Sequence, residues 1–193
     1  MNNTQKYYWL NPPRQWSGDE SALLVITDDK TDFWAKTWYG FERFSGHFFG
    51  CDVIGDFTFQ VKIQADFEAL YDQAGIMLFA DNEHWLKAGI EMNDGCASIG
   101  SVLTIGHSDW ATGIFPADSK TFWMRLTKKG ESLRLQYSTD GKTWPLLRLA
   151  HFPECPRYAV GVMCCSPQRQ GLQVKFEEMR LTHALDKDLH DLS

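Results

Sequence analysis

The chain has 193 residues and an ordinary globular composition, 44% hydrophobic and 23% charged, which excludes extended disorder. Its net charge of −6 disfavours nucleic acid as a partner, because phosphate binding needs a basic surface. No apolar run reaches the length of a membrane span, and neither a secretory signal nor a zinc-type cysteine spacing is visible, so we expect a reduced, cytoplasmic protein.

Alternation of apolar and polar residues with period two dominates the chain and predicts about thirteen β-strands. Turn sequences such as Asn93-Asp94-Gly95 separate them, since glycine accepts the positive φ of a tight hairpin. The pattern predicts an all-β fold of two packed antiparallel sheets in one domain over residues 1–193. In chain order the predicted strands are residues 22–27, 33–39, 47–53, 57–67, 74–80, 85–93, 98–105, 110–115, 121–128, 133–138, 144–150, 158–164 and 172–182.

Parity separates the two faces of several predicted strands. In residues 57–64 the odd positions are apolar and the even ones polar, so one face is core and the other meets water. Residues 121–128 alternate in the same way, which sets Trp123 on the polar face. In residues 33–39, Trp34, Lys36 and Trp38 share one side, and parity leaves open which side is core.

Residues 72–94, DQAGIMLFADNEHWLKAGIEMND, predict a hairpin with charged residues on one row. Lys87 and Glu91 share a face with Trp85 and lie about 13 Å apart along the strand, so each needs partners on neighbouring strands. The run 74–80 is small or apolar on both faces, which suits a central strand. We therefore expect a central hairpin whose polar row lines a concavity.

Tryptophan is the unusual component of this sequence. There are eight Trp residues, and several alternate with Lys and Arg on faces predicted to be polar, although exposed Trp is uncommon. The plain alternative is an outer face that is polar because it meets water. A carbohydrate site explains the combination better, because a pyranose stacks its apolar face on a ring while its hydroxyls bind charged groups.

Five stretches carry a resemblance to a known family: TDFW at residues 31–34, KTWYGF at 36–41, YDQAG at 71–75, WLKAGIE at 85–91 and SDW at 108–110. In this order they resemble a bacterial and fungal family of uncharacterised proteins, of the regulation of enolase protein type. The resemblance implies a concanavalin A-like jelly-roll sandwich with a concave sheet that faces a sugar. The WLKAGIE stretch also looks like the β-sandwich module of some family 43 glycosidases. No reaction is implied, because the family has no established activity.

We predict that a carbohydrate or a small sugar-derived ligand binds on that concave face. The candidate binding residues are Trp34, Lys36, Trp38, Gln73, Lys87, Glu91, Asp109, Trp110 and Trp123. The histidines lack the spacing of metal ligands, so we predict no metal site and no cofactor. Asp28, Asp29 and Asp32 form an acidic turn of the kind that some jelly-roll domains use for calcium, but such turns are usually only solvated.

Catalysis on the same face is the first alternative. Retaining glucanases of this fold carry E-x-D-x-x-E on one strand, which places nucleophile and acid about 5 Å apart, and this sequence lacks that motif. A catalytic pair would have to join Glu91 with Asp72 or Asp109 across strands. The other alternative is a regulator that acts through a protein partner or a second copy of the chain.

Overall fold

The computed structural model describes residues 5–193, in which sixteen β-strands form and no α-helix does. All paired strands are antiparallel, so the predicted all-β antiparallel fold is confirmed. The strands are β1 (Tyr7–Leu10), β2 (Gln15–Gly18), β3 (Ala22–Ile26), β4 (Phe33–Ala35), β5 (Glu42–Phe44), β6 (His47–Val53), β7 (Phe57–Ala65), β8 (Gln73–Asp81), β9 (His84–Asn93), β10 (Cys96–Ile105), β11 (His107–Ile114), β12 (Thr121–Lys129), β13 (Ser132–Ser138), β14 (Leu146–His151), β15 (Tyr158–Cys165) and β16 (Gln173–His183).

Fourteen of these strands form two sheets of seven. The front sheet has the order β1-β6-β15-β8-β9-β10-β11, and the back sheet has the order β14-β13-β12-β7-β16-β3-β2. Strands β8 and β9 are the fourth and fifth strands of the front sheet, so the predicted central hairpin is confirmed. The remaining strands, β4 and β5, pair only with each other, and with the turn at 36–41 they form what we call the cover hairpin.

The main core lies between the two sheets and follows the predicted parity. On β7, Phe59, Val61 and Ile63 are fully buried, whereas Gln60 and Lys62 are partly exposed. Each buried side chain of this size contributes about 1.5–3 kcal/mol relative to an exposed one. The alternation therefore both selects strand structure and fixes which face turns inward.

A second apolar cluster lies on the outer face of the front sheet, under the cover hairpin. Phe33 and Ala35 of β4 pack there against Met77, Trp85 and Val102 of the sheet. The prediction that Trp85 belongs to an open polar row is therefore wrong, since only 1% of it is exposed. Parity identified the correct face, but could not reveal that a hairpin covers part of it.

Strand ends and short strands account for the other differences from the prediction. The sequence pattern missed β1, β2 and β5, which have only three or four residues each. The strand predicted at 33–39 ends at Ala35, because Lys36 and Trp38 have positive φ values of 61° and 64°. Such values wind the chain into a turn and are incompatible with an extended strand.

The last residues of the chain lie along the outer face of the back sheet and include one turn, in which the Asp191 N–H donates to the carbonyl oxygen of Asp188. The guanidinium of Arg134 donates hydrogen bonds to the carbonyl oxygens of Lys187, Leu189 and Asp191 at 3.3, 2.8 and 2.9 Å. The backbone N–H of Trp144 donates to the carbonyl oxygen of Leu192 at 2.9 Å. These bonds hold the C-terminal segment against the outer face of the back sheet.

All five cysteines carry free thiols. Cys164 faces the main core and Cys165 faces the second cluster, so the two neighbours point to opposite sides of β15 and both are buried. Cys165 lies on the outer face of the front sheet and is shielded from water by the cluster under the cover hairpin. Residues 5–193 contain no helix with the length and apolar character needed to cross a bilayer.

Candidate functional site: a cavity under the cover hairpin

A cavity of about 430 Å³, here called the front cavity, lies between the cover hairpin and the front sheet. The hairpin is fixed by its apolar contacts and by a hydrogen bond from the Ala35 N–H to the Ser108 hydroxyl at 2.9 Å. The Asp32 carbonyl oxygen also accepts hydrogen bonds from the N–H groups of Ser45 and Gly46, both at 2.9 Å. The Asp32 bonds therefore close the base of the hairpin, and the Ser108 bond joins its first strand to β11.

The front cavity has an aromatic wall, a polar floor and a mixed rim. The aromatic wall consists of Trp34, Tyr39, Phe41, Tyr71 and Trp110. The polar floor consists of Asp32, Gln73, Lys87 and Glu91. The rim consists of Lys30, Arg43, Val102, Pro167 and Gln168.

Glycines keep the sheet beneath the front cavity free of side chains. Gly75, Gly89 and Gly100 are direct neighbours on β8, β9 and β10, and a small recess that adjoins the cavity reaches Gly89 and Gly100. A Cβ atom at Gly89 would lie 2.0 Å from the carbonyl oxygen of Ala74, a distance that backbone atoms cannot accommodate. Since Gly89 stands between Lys87 and Glu91 on β9, the space between those two side chains stays open.

Lys87 is the buried charge of the polar floor, with 3% of its surface exposed. Its Nζ lies 3.2 Å from Oδ1 of Asp32 and donates to Oε1 of Gln73 at 2.7 Å. Burial is the largest single influence and lowers the pKa of Lys87, but the charge and hydrogen bond of Asp32, together with other neighbouring groups, outweigh it and the pKa is raised. Gln73 lies on the neighbouring strand β8, as the sequence predicted for a partner of Lys87. Asp32 lies in the loop before β4, which the sequence did not predict.

Glu91 lies on the same row of β9 and is partly buried. Burial raises its pKa to about 7, with the charge of Asp32 adding to the rise and that of Lys87 opposing it. Near neutral pH the carboxyl group is therefore a mixture of both forms, and it can donate as well as accept a hydrogen bond. Lys87 forms its ion pair with Asp32 rather than with Glu91 in the described residues.

The aromatic wall is built from the cover hairpin, β11 and the loop before β8. Trp34 meets Trp110 edge to face, with ring centroids 6.4 Å apart, and meets Tyr39 at 5.8 Å. Tyr39 stacks on Phe41 at 5.3 Å with an interplanar angle of 19°. The Trp34 indole N–H donates to the carbonyl oxygen of Thr37 at 2.9 Å. These contacts hold the wall in one arrangement.

The structure brings five of the nine predicted binding residues into the front cavity: Trp34, Gln73, Lys87, Glu91 and Trp110. Three of these lie on β8 and β9, the hairpin predicted from residues 72–94. The other two, Trp34 of β4 and Trp110 of β11, contact each other at one wall of the cavity. Parity grouped Lys87 with Glu91, and the stretches that carry the family resemblance contain all five.

Lys36 and Trp38 lie outside the cavity, contrary to the prediction. The backbone leaves the extended conformation after Ala35, so alternation no longer decides where these side chains point. Lys36 Nζ pairs with Oε1 of Glu42 at 3.3 Å. Trp38 is 92% exposed.

Asp109 and Trp123 also lie elsewhere. Asp109 precedes Trp110 on β11 and projects to the opposite face, where its Oδ1 is 3.2 Å from Nη2 of Arg148. Trp123 belongs to the back sheet, with the Nζ of Lys62 at 5.7 Å from its ring centroid. A polar face was correctly assigned to Trp123, but it is the face of the other sheet.

The carboxylate partners proposed for Glu91 are engaged in other contacts. Asp72 is fully buried and accepts hydrogen bonds from Arg169 at 3.0 Å and from two backbone N–H groups at 3.0 and 3.1 Å. Although burial raises its pKa, these donors hold the pKa of Asp72 below its usual value. Asp109 faces away from the cavity, as described above. Asp32 is the carboxylate that shares the polar floor with Glu91.

Sequence reasoning missed several residues of the site, namely Asp32, Tyr39, Phe41, Arg43 and Tyr71. They lie in loops or in the short cover hairpin, where period-two alternation gives no information. A usable signal was present, because all but Arg43 fall within the stretches that carry the family resemblance.

The acidic turn before β4 is occupied by cations of the chain itself. Asp28, Asp29 and Asp32 each have a Lys or Arg nitrogen within 3.9 Å of the carboxylate. Within residues 5–193, no group of three or more His, Cys, Asp or Glu side chains is arranged to hold a metal ion.

Comparisons with known proteins agree on family and fold. The sequence pattern of the family described as "Protein of unknown function (DUF1349)" matches residues 9–184. Regulation of enolase protein 1 of Saccharomyces cerevisiae is 52% identical over 185 residues, which are 96% of this chain and 93% of that protein. A solved structure of a functionally unknown protein from Saccharomyces cerevisiae has a TM-score of 0.91 at 50% identity and covers 93% of this chain and 97% of its own.

More distant structures come from carbohydrate-active enzymes. The GH43 protein BlXynB from Bacillus licheniformis has a TM-score of 0.71 at 16% identity, covering 92% of this chain and 36% of its own. An alginate lyase from Klebsiella pneumoniae has a TM-score of 0.52 at 13% identity, covering 68% of this chain and 61% of its own. At such identities the likeness shows the fold alone, and it confirms the jelly-roll sandwich.

Proposed function

The chain belongs to the DUF1349 family, and we propose that its front cavity binds a carbohydrate or a small sugar-derived molecule. The observation that carries the proposal is an aromatic wall facing a polar floor across one cavity of about 430 Å³. Small-molecule sites commonly have this size and this mixture of apolar lining with a few polar groups. A sugar ring matches it, because one ring offers both an apolar face and several hydroxyls.

The aromatic wall supplies the stacking surface. Trp110 is 39% exposed, so a ligand that stacks on it removes apolar surface from water without rearranging the core. Trp34 is already held by Trp110 and by the bond to Thr37. A preformed wall of this kind limits the conformational entropy that a ligand must overcome.

The polar floor supplies hydrogen bonds in both directions. The ammonium group of Lys87 has three donors, and Asp32 and Gln73 account for two of them, which leaves one for a ligand hydroxyl. Glu91 accepts from a hydroxyl when ionised and also donates when protonated. Sugar hydroxyls are donors and acceptors at once, so they suit this pair.

The fold neighbours support the same ligand class. The chain corresponds to about a third of the GH43 chain, so the likeness concerns its β-sandwich portion. Fold likeness alone does not determine function, and the residues of the front cavity must carry the argument.

A glycan array followed by titration calorimetry tests the proposal. We expect at least one glycan to bind and to raise the melting temperature, because ligand bound only to the folded state stabilises it. Trp110→Ala should weaken binding about tenfold or more. Trp16→Ala is the matched control, since Trp16 is 46% exposed on the back sheet. Absence of binding on the array, or an equal loss in both variants, would refute sugar binding in the front cavity.

Glycoside cleavage with Glu91 as general acid is a second candidate, favoured by the pKa of about 7. Glu91→Gln distinguishes the two functions in any glycan that binds. A binding protein keeps partial affinity, because an amide still forms hydrogen bonds, whereas an enzyme keeps its ligand and loses turnover by orders of magnitude.

A third candidate follows from the name of the yeast relative, Regulation of enolase protein 1, which suggests a regulator with a protein partner. That partner, a second copy of the chain and the cytoplasmic location expected from the sequence stay predictions. A melting temperature that no glycan raises would favour this candidate over sugar binding.

A further inference from the structure

The turn of the cover hairpin has an unusual backbone. Lys36, Trp38 and Gly40 have φ values of 61°, 64° and 71°. The Thr37 N–H donates to the Ala35 carbonyl and the Tyr39 N–H donates to the Thr37 carbonyl, both at 2.7 Å. Two three-residue turns with positive φ at the centre therefore follow one another, which is a rare and strained arrangement.

Trp38 at the centre of the second turn bears the greater cost. A positive φ in a bulky residue other than glycine is an outlier, and such strain costs about 1–3 kcal/mol. Burial of the ring does not offset this strain, since Trp38 is 92% exposed. A strained backbone and an exposed ring give Trp38 no evident structural role, which points to a role outside the fold.

The position of Trp38 relates it to the front cavity. Its neighbour Tyr39 lines the cavity and is 50% exposed, and Phe41 stacks on Tyr39. Ring contacts therefore run from Trp110 through Trp34 to Tyr39, and Trp38 is the neighbour of Tyr39 in the chain.

We propose that Trp38 is an outer stacking platform for a further sugar unit, and that the ligand is an oligosaccharide whose end enters the front cavity. This inference rests on the proposed function. A cavity of about 430 Å³ accommodates the end of a chain, and Trp38 directly precedes Tyr39, which lines that cavity. An exposed indole face beside a lining residue offers the apolar contact that pyranose rings accept.

Titration calorimetry with xylo-oligosaccharides and alginate oligosaccharides of one, two and six units tests the inference. These sugars match the polymers named for two structural neighbours, a xylan xylosidase and the alginate lyase. For one series, we expect the wild type to bind six units at least about tenfold more tightly than one unit. Trp38→Ala should abolish this gain and leave affinity for the single unit within about twofold.

Two further variants keep the test decisive. Trp38→Phe retains a ring and should keep most of the gain with length, whereas Thr37→Ala in the same turn removes no ring and should keep all of it. The melting temperature of Trp38→Ala should equal that of the wild type, because the exposed ring makes few contacts.

Three outcomes would overturn the inference. One is affinity that does not depend on length, and another is a length effect that Trp38→Ala leaves intact. The third is the absence of binding by both series, and a positive glycan array would then leave the proposed function standing. Pelleting with phosphatidylcholine vesicles that requires Trp38, without any length effect, would assign the ring to a lipid surface instead.

Discussion

The outer faces of the two sheets contain similar residues and use them differently. On the front sheet, Lys87 and Trp110 line one cavity. On the back sheet, the guanidinium of Arg125 lies 3.7 Å from the ring centroid of Trp144, and Lys62 lies over Trp123. Cations and rings stabilise one another in such contacts. The back face thus resembles a sugar site in composition, while its groups serve its own structure.

The covers of the two faces explain the difference. The back sheet is covered by residues 184–193, which are held against it because Arg134 donates hydrogen bonds to three of their carbonyl oxygens. The front sheet is covered by a hairpin that is closed at its base and bonded to β11, above a sheet region where Gly75, Gly89 and Gly100 lack side chains. The front cavity therefore exists because the cover hairpin lies over a glycine region of the sheet, and the types of residue on a face do not by themselves produce a cavity.

The largest expected effect comes from adding a side chain to the glycine region beneath the front cavity. Gly89→Ala places a Cβ atom 2.0 Å from the Ala74 carbonyl oxygen, and a central strand cannot shift cheaply to relieve the clash. We expect a loss of about 3 kcal/mol or more in the free energy of unfolding, measured with urea. Gly113→Ala on the edge strand β11 is the control, because nothing lies within 4 Å of its Cβ position. Equal effects of the two variants would contradict this account of the floor.

The next effect concerns the two faces' lysines. Lys87→Met leaves the carboxylate of Asp32, only 19% exposed, without its cation, and should cost about 2–4 kcal/mol. Lys62→Met on the back sheet should cost less than about 1 kcal/mol, because its partner Glu177 keeps an ion pair with Lys175 at 2.7 Å. Urea unfolding of both variants measures the difference. A smaller loss for Lys87→Met than for Lys62→Met would show that the polar floor is not a buried network.

A smaller effect is expected in the dependence of stability on pH. Folding raises the pKa of Glu91 from an ordinary value of 4.5 to about 7, so the folded state binds more protons in that window and stability falls as the pH rises through it. Glu91→Gln removes this slope, and its stability should gain about 1–2 kcal/mol relative to wild type between about pH 4 and about pH 8, allowing for partial exposure.

The matched control for that measurement is Glu177→Gln on the back sheet. Lys175 holds the pKa of Glu177 below its usual value, so the sign reverses and the wild type loses stability relative to this variant as the pH falls. Thermal melts across the pH range provide both slopes. Slopes of the same sign would contradict the assigned environment of Glu91.

The fold was predictable because regular strands record their environment in their own sequence. On β7 the alternation of Phe59, Val61 and Ile63 with polar residues gives both the strand and its inner face. The short strands β1, β2 and β5 have too few residues for a period to be recognised. Their positions depend on pairing with distant strands, which no local pattern reveals.

Most of the correctly predicted site residues lie on long strands, and Trp34 on the short strand β4 is the exception. Lys87 and Glu91 were grouped correctly by parity on β9. Trp38 was misplaced because three-residue turns interrupt its strand. Asp32 and Tyr71 were missed because they come from loops, whose path is set by tertiary hydrogen bonds. Parity also cannot assign a strand to the front or the back sheet, and this accounts for Trp123.

The smallest expected effect is that of Trp123→Ala on ligand affinity, and it tests the comparison of the two faces most directly. Trp123 has the composition of a sugar platform, an indole beside Lys62, but it lies on the back sheet. We expect this variant to change the dissociation constant of a bound glycan by less than about twofold, while Trp110→Ala changes it about tenfold or more. Its unfolding free energy should fall by about 0.5–1 kcal/mol, the size of an exposed cation–π contact. Titration calorimetry with the same glycan decides the point. A loss of affinity in Trp123→Ala as large as that in Trp110→Ala would mean that the ligand contacts the back face and that the front cavity is not the binding site.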